Sequence, residues 1–387
     1  MIEQKGKRNS AIIFADKIDK QTKTQIASIL RESAYADQKI RFMPDVHAGK
    51  YVPVGLTMTL GNQLTPTMLG ADIGCGMDVS VISACDVDFQ KLDALVRAQI
   101  PCGSKIHQKP VKSYGFENLL CKARIDVQRA CCSLGTLGGG NHFIELDRCA
   151  DGKILLVIHT GSRQLGSDVM QVYQKIAVRE AYKRERKKIS HEQCDGYGVY
   201  REKQRDKSVK VHTESALLKG DYFLDYLHDV SAITDFADCN RRTIAETICD
   251  GMHFEVLEHF SCVHNYIDTE HGNLRKGAIS ARMGERVFIP LNMRDGVILG
   301  VGKGNNDWNF SAPHGAGRVC NRQDAKYAFS VDAFQKEMQG IYTTTANAGS
   351  LDECPMAYKA SERIISFLSE TVEISEIAKP IYNFKAC

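Results

Sequence analysis

Apolar and polar positions follow two rhythms along this chain. Runs of strand length occur at residues 11–13 and 39–43, with a helical stretch over about 20–34 between them. Residues 86–100 and 116–131 read as helices, 154–158 is a continuous apolar run of strand length, and 287–290 and 297–301 are strand-like. The stretch 221–260 is long and amphipathic, with Leu224, Leu227, Val230 and Ala237 at helical spacings, which predicts one or two core helices. A helix near 359–368 and a tail over 380–387 close the chain.

Composition narrows the class. With 387 residues, 43% hydrophobic and 25% charged, the chain has ordinary globular content, and its net charge of +3 does not by itself demand nucleic acid. Its 14 cysteines include no Cys-x-x-Cys pair, and residues 1–17 hold no secretory apolar core, so reduced thiols in a cytoplasmic protein are expected. No apolar run approaches the roughly 20 residues that span a bilayer. Over 173–211 the character changes, with Lys183-Arg184-Glu185-Arg186-Lys187-Lys188 and later Arg201-Glu202-Lys203-Gln204-Arg205-Asp206-Lys207. Interleaved acids make a solvated helix face as good an account of these runs as contact with RNA phosphates.

The chemistry-bearing residues sit beside glycines or at the ends of expected elements. In Pro44-Asp45-Val46-His47, the Asp and His two apart project to one side of a strand end, although a turn in which Asp45 accepts backbone N–H groups explains that segment as well. In Leu69-Gly70-Ala71-Asp72-Ile73-Gly74-Cys75-Gly76-Met77, flanking glycines expose the Cys75 sulfur, which a merely packed cysteine would not need, and let Asp72 and Cys75 point at one ion. The loop from Gly135 to Gly140 has four glycines in six positions but no Walker Lys-Ser/Thr, and His142, Ile144 and Leu146 then alternate with Phe143 and Glu145 as in a strand. His159-Thr160-Gly161-Ser162-Arg163 ends an apolar strand, and His264-Asn265-Tyr266 follows the long amphipathic stretch. One thiolate, one carboxylate and three imidazoles suit Zn²⁺, Mn²⁺, Co²⁺ or Fe²⁺, and five ligands exceed one tetrahedral site, which points to two ions sharing Cys75. Lastly, Pro313-His314-Gly315-Ala316-Gly317-Arg318 leaves a histidine uncrowded beside an arginine; read with two metal ions, His314 becomes a covalent acceptor of a phosphoryl or nucleotidyl group.

These motifs, with their order and spacing and the terminal Lys385, resemble those of the RtcB-type RNA-splicing ligases over essentially the whole chain. The resemblance implies an α+β fold, a single integrated domain over residues 1–387 with mixed or antiparallel sheets and surrounding helices about a central metal cleft, and a basic helical insertion at about 173–211. It implies a GTP- and Mn²⁺-dependent ligase with two ions, joining RNA 3′-phosphate or 2′,3′-cyclic phosphate ends to 5′-hydroxyl ends through a histidine–GMP adduct, in RNA repair or tRNA splicing. Carried onto matching positions, one ion would sit on Cys75, His159 and His264, and the other on Asp72, Cys75 and His142. Asp45 would orient the nucleophile His314. The guanylate would be surrounded by Asn141, His142, Phe143, Ile144 and Glu145, by His264 and Asn265, by Pro290, Leu291, Asn292, Met293 and Val297, by His314, Gly315, Ala316 and Gly317, and by Lys385, with Glu145 and Lys385 reading the base. Expected partners are RNA with those ends, such as broken tRNA or rRNA, and a protein activator; a monomer without membrane attachment is expected.

The chain departs from the resemblance at Pro290-Leu291-Asn292-Met293-Arg294, where Pro-Gly-Ser-Met-Gly is common. Asn292 is expected to replace a serine hydroxyl there, and the longer Arg294 to reach a phosphate of the nucleotide or of the RNA end. Two other classes fit the residues: a metal-dependent phosphoesterase or nuclease that uses the ions without nucleotidylation, and a non-catalytic RNA-binding module that uses the basic runs alone.

Overall fold

The central strands have both faces covered, and their residues alternate between two cores. In Gly76–Ile82 and Ile154–Thr160 every residue is buried. Met77, Val79, Val81, Leu155 and Val157 enter one apolar cluster, whereas Ile82, Ile154, Leu156 and Ile158 enter another with Ile244 and Ile248 of the helix Asp221–Met252. The computed structural model describes residues 1–84, 86–193 and 211–386.

Seven strands form the main sheet, in the order Val256–Val263, Gly76–Ile82, Ile154–Thr160, Phe143–Arg148, Val372–Lys385, Gly296–Gly302 and Arg286–Asn292, each pair antiparallel. A six-stranded sheet runs Ile2–Lys5, Ser10–Ile13, Ile40–His47, Val54–Thr59, Asn273–Lys276, Asn265–Asp268, with one parallel pair between Ser10–Ile13 and Ile40–His47. The chain crosses from one sheet to the other at His264, between Val256–Val263 and Asn265–Asp268. Ala278–Ser280 and Ser311–Pro313 pair as a short ribbon beside that crossing. The fold is α+β, with candidate site residues drawn from both sheets, among them His159 from the main sheet and Asp45 from the six-stranded one. No helix among the described residues is long and apolar enough to cross a membrane.

Four expected elements differ from those observed. The first helix stops at Ile29, where the buried Ile26, Ile29 and Leu30 are spent and the chain turns back through Ser33–Tyr35 into Ile40–His47. Only Val127–Ser133 of the stretch 116–131 is α-helical: Asp126 caps it at Arg129 N (2.9 Å), and the amides of Leu120 and Cys121 are drawn instead to the buried Asp229 carboxylate at 2.8 and 3.0 Å. The long helix ends at Met252 with His253 left-handed, and the chain returns as the edge strand Val256–Val263 rather than continuing as helix to 260. The C-terminal tail is the end of Val372–Lys385, an interior strand of the main sheet. Of the basic runs, residues 183–186 lie on the helix Arg163–Gln193, where Lys183 pairs with Glu180 at 3.0 Å; residues 201–207 lie outside the described residues.

Candidate active site

Strand register gathers the side chains. Cys75 and His142 each precede the first residue of a strand, Gly76–Ile82 and Phe143–Arg148, and His159 lies next to the last residue of the strand between them. The pairing places Met77, His159, Phe143 and Lys385 side by side across four adjacent strands, all on one face. Behind them comes a second row, Val79, Val157, Glu145 and Asn383, on the same face. The third histidine of the set is held by backbone, His264 N donating to Cys75 O at 2.9 Å and Gly74 N to Asn265 O at 2.8 Å.

The turns that carry these residues rest on the helix Asp221–Met252. Arg241, fully buried, donates from Nη1 to the carbonyls of Gly74 (2.7 Å) and Thr160 (3.0 Å). Asn240 accepts from the amides of Gly135 and Thr136 (2.8 and 3.1 Å) and donates to the carbonyls of Thr136 and Gly161 (both 3.1 Å). Two adjacent polar residues of one helix thus satisfy all three glycine turns. Gly74 must be glycine: its φ is +77°, and a Cβ there would lie 2.8 Å from that of Ala237 on the same helix.

Two donor sets result, Cys75 with His159 and His264, and Asp72 with Cys75 and His142; in each set the ligand atoms lie within 4.8 Å of one another. Cys75 Sγ is 3.4 Å from His159 Nε2 and 3.6 Å from His142 Nε2, and His142 Nε2 is 3.7 Å from Asp72 Oδ2. His142 Nδ1 faces Leu137 O at 2.9 Å and His159 Nδ1 faces Asn141 O at 3.2 Å. Carbonyls only accept, so both Nδ1 atoms carry the proton and both Nε2 lone pairs turn toward the sulfur. His264 Nδ1 is buried without a partner among the described residues, an atom left over for an ion. Burial, the charge of His264 and that of His142 hold His159 well below the ordinary histidine value; burial and His314 do the same to His264. Desolvation works to raise the half-exposed Asp72 carboxyl, but its contact with His142 more than offsets this and, with no ion bound, holds the group below its usual range. Burial and the Asp72 charge push the Cys75 thiol well up, so an ion would have to displace its proton. Neutral imidazoles, a thiolate and a carboxylate fit one or two borderline divalent ions.

His314 stands beside this cluster, its ring centroid 4.8 Å from that of His264. Its Nδ1 lies 2.6 Å from Asp45 Oδ2, which also accepts from His314 N at 3.2 Å. Asp45 is fully buried in the strand Ile40–His47, whose carbonyls at Pro44 and Val46 accept from Lys359 Nζ at 3.1 and 2.9 Å. Asp45 O in turn contacts the His47 Nδ1 at 2.9 Å. Gly317, at φ +72°, lies against this strand so closely that a Cβ would come within 2.3 Å of Asp45 O. His314 therefore presents Nε2, not Nδ1, to the cleft.

The cleft, of about 300 Å³, is lined by Cys75, His159, His264 and His314 on one side and by Asn141, Phe143, Glu145 and Lys385 on another. Its remaining walls include Asn265, residues 290–293, and Gly315, Ala316 and Gly317. Asp45 and His142 act from just behind the wall. Two expected members are elsewhere: Ile144 points through the sheet into the core with Ile244 and Leu156, and Val297 is buried in the cluster with Ile289 and Ala378. Arg294, expected to reach a phosphate, does not line the cleft. It pairs with Asp295 Oδ1 at 2.7 Å and with Glu337, away from the cleft. Asn292 is spent inside its own turn, donating to Asp295 Oδ2 at 2.8 Å and accepting from the amides of Arg294 and Asp295 at 3.0 Å each.

Several groups here were not singled out from the sequence. Glu353, buried, holds Lys385 Nζ at 3.2 Å, Arg318 Nη1 at 3.1 Å, Arg322 Nη1 at 2.6 Å and the Tyr358 hydroxyl at 2.5 Å. Lys385 Nζ also sits 4.6 Å above the Phe143 ring. Asn383 binds the Glu145 carboxylate. Only the alternation of Asn383 with Lys385, and a polar pair at buried positions of an apolar helix face, hinted at these roles.

Residues 27–122 and 117–386 match the family described as tRNA-splicing ligase RtcB. The chain is similar to RNA-splicing ligase RtcB1 of Escherichia coli strain ATCC 25922 and to RNA-splicing ligase RtcB of E. coli K12, each 27% identical over 378 residues covering 87% of both chains. It is also 25% identical, over 94% of its length and 92% of the relative's, to tRNA-splicing ligase RtcB of Aeropyrum pernix.

Proposed function

Since the chain belongs to the RtcB family, we propose that it is an RNA ligase that uses GTP and two Mn²⁺ ions to join a 3′-phosphate or 2′,3′-cyclic phosphate end to a 5′-hydroxyl end. The observation that carries this reading is the Asp45–His314 pair at 2.6 Å, beside a cluster of metal donors. A phosphoesterase or nuclease using the same ions has no need of a histidine oriented in this way.

Asp45 fixes the tautomer, keeping the proton on Nδ1 and the lone pair on Nε2 of His314. Nε2 attacks the α-phosphorus of GTP; the N–P bond forms, the P–O bond to pyrophosphate breaks, and the ring's positive charge develops against the Asp45 carboxylate. An oxygen of the RNA 3′-phosphate then attacks the same phosphorus, the N–P bond breaks, and neutral His314 returns. The 5′-hydroxyl oxygen attacks the activated 3′-phosphorus, losing its proton to solvent, and GMP leaves. A cyclic end is first opened by water to the 3′-phosphate. Bound ions, held by Asp72, Cys75, His142, His159 and His264, supply positive charge to the phosphates. Manganese suits this donor set better than magnesium, because thiolate and imidazole are poor ligands for a hard ion. Glu145 accepts N–H groups of the guanine edge while Lys385 donates to its O6.

The test is ligation itself: a labelled RNA with a 3′-phosphate and a partner with a 5′-hydroxyl, incubated with GTP and MnCl₂. A joined product that requires both is expected; hydrolysis of the RNA without joining would favour the phosphoesterase.

A further inference from the structure

Behind the two rows that face the cleft lies a third, and it contains an acid that the proposed reaction does not use. Pairing continues the face through Val81, Leu155, Asp147 and Pro380. Asp147 is completely buried, and neither of its carboxyl oxygens has a hydrogen-bond donor among the described residues. Its neighbours explain this: Leu155 is apolar, and Pro380, opposite in the next strand, has no N–H to give. Two titratable groups adjoin it: Glu145, two residues back along the strand on the same face, with the two carboxyls in hydrogen-bonding contact, and the buried Cys149, whose thiol is pushed up to about 12 by burial and by Glu376 and so stays neutral. Such a contact requires a proton, because two carboxylates have four acceptor oxygens and no donor.

We propose that Asp147 is a neutral hydrogen-bond donor to Glu145, and so a positioning residue for the carboxylate that reads the guanine base. The inference rests on the guanylate reading above. Two adjoining buried carboxyls cannot both ionise, so the pair carries a single negative charge. Its environment decides where that charge lies. The strand Val372–Lys385 brings Asn383, which donates to Glu145, and Lys385, whose charge also acts on Glu145; the segment Ala348–Glu353 adds Glu353, which holds Lys385. Among the described residues, strand Ile154–Thr160 contributes Val157 and Leu155 beside the pair, and no cation acts on Asp147. Burial raises both acids; Asn383, Lys385 and the Asp147 hydrogen bond limit the rise of Glu145 to about 7, whereas burial and Glu145 both push Asp147 well up. Glu145 therefore ionises first, at about pH 7, while Asp147 keeps its proton, and the charge so formed is aimed at the N–H groups of the base.

Two substitutions and two measurements test this on the full chain. Asp147→Asn retains a neutral donor, and Asp147→Leu removes it while filling an apolar site. GMP, which cannot form an adduct by displacing pyrophosphate, is titrated calorimetrically in the presence of MnCl₂ from about pH 6 to 9. Asp147→Asn should keep the wild-type pH profile. Asp147→Leu should weaken GMP roughly tenfold at neutral pH and recover at higher pH, its midpoint moved up by about one unit. The infrared spectrum of the wild type at about pH 8 should contain a protonated-carboxyl band that Asp147→Asn lacks. Identical GMP profiles for Asp147→Leu and wild type, or absence of that band, would overturn the proposal. If wild type binds no GMP, the guanylate reading fails, whereas the band still decides whether Asp147 holds the proton.

Discussion

Two walls of the cleft have polar residues of similar chemistry but opposite design. On the metal-donor wall, the backbone is satisfied from behind by Asn240 and Arg241, and the functional atoms are left unspent: His264 Nδ1 has no partner among the described residues, and the Nε2 atoms of His142 and His159 converge on Cys75. In the turn at residues 290–295 the reverse holds. Asn292 caps its own turn, Arg294 is neutralised by Asp295 and Glu337, and Leu291 and Met293 are buried in apolar clusters. A polar side chain at a cleft becomes a reagent when its backbone support comes from elsewhere. Where it supports itself, it is wall.

The sharpest way to break this contrast is Asp45→Asn, which takes the counter-charge from His314 while leaving the metal donors intact. Adduct formation should slow by roughly 10²–10⁴, with metal content by elemental analysis unchanged; an unchanged rate would mean that His314 needs no orienting acid. Arg241→Ala comes next. It strands the buried carbonyls of Gly74 and Thr160, and denaturant unfolding should report a loss of about 3–5 kcal/mol together with reduced metal content. Loss of stability without loss of metal would separate the helix from the donor wall.

Acid probes the same wall in the metal-free protein. His159 and His264 titrate below their ordinary value when folded, so the unfolded chain binds more protons at low pH. Their contribution is fully present above about pH 6.5, the ordinary histidine value, and falls away as pH drops from there. Urea midpoints of chelated protein measured against pH should therefore decline below about 6.5, and His159→Leu should flatten the decline. The smallest effects belong to the self-satisfied turn. Asn292→Ala should cost about 1 kcal/mol of stability through the lost cap, and the half-exposed pair of Arg294 no more than about 0.5 kcal/mol in Arg294→Ala. GTP binding should be nearly unchanged in both; a large loss of binding in Arg294→Ala would show that the arginine leaves its ion pairs for a phosphate.

The donor cluster was legible in the sequence because each member announces itself locally, by nearby glycines or by its place at the end of an expected element. What surrounds it was not, because those roles depend on register and on distant partners. Arg294 reads as a free cation until Glu337, 43 residues away, is brought against it. Arg241 looks like a polar break in an amphipathic helix, although it secures two neighbouring turns that lie far apart in the sequence. The predicted helix over 116–131 failed for a similar reason, since Asp229 takes two amides that helical propensity would have kept. Asp147 gives no local signal at all; only the pairing with Leu155 and Pro380 reveals an acid with no donor among the described residues.

The central claim is that His314 is the unspent nucleophile of this cleft. Incubation with α-labelled GTP and MnCl₂, followed by denaturing electrophoresis, tests it most directly. The account predicts label on the wild-type chain that is lost in acid and comparatively stable in base, as for a phosphoramidate, and no label on His314→Ala of unchanged stability and metal content. Label persisting on His314→Ala would contradict it.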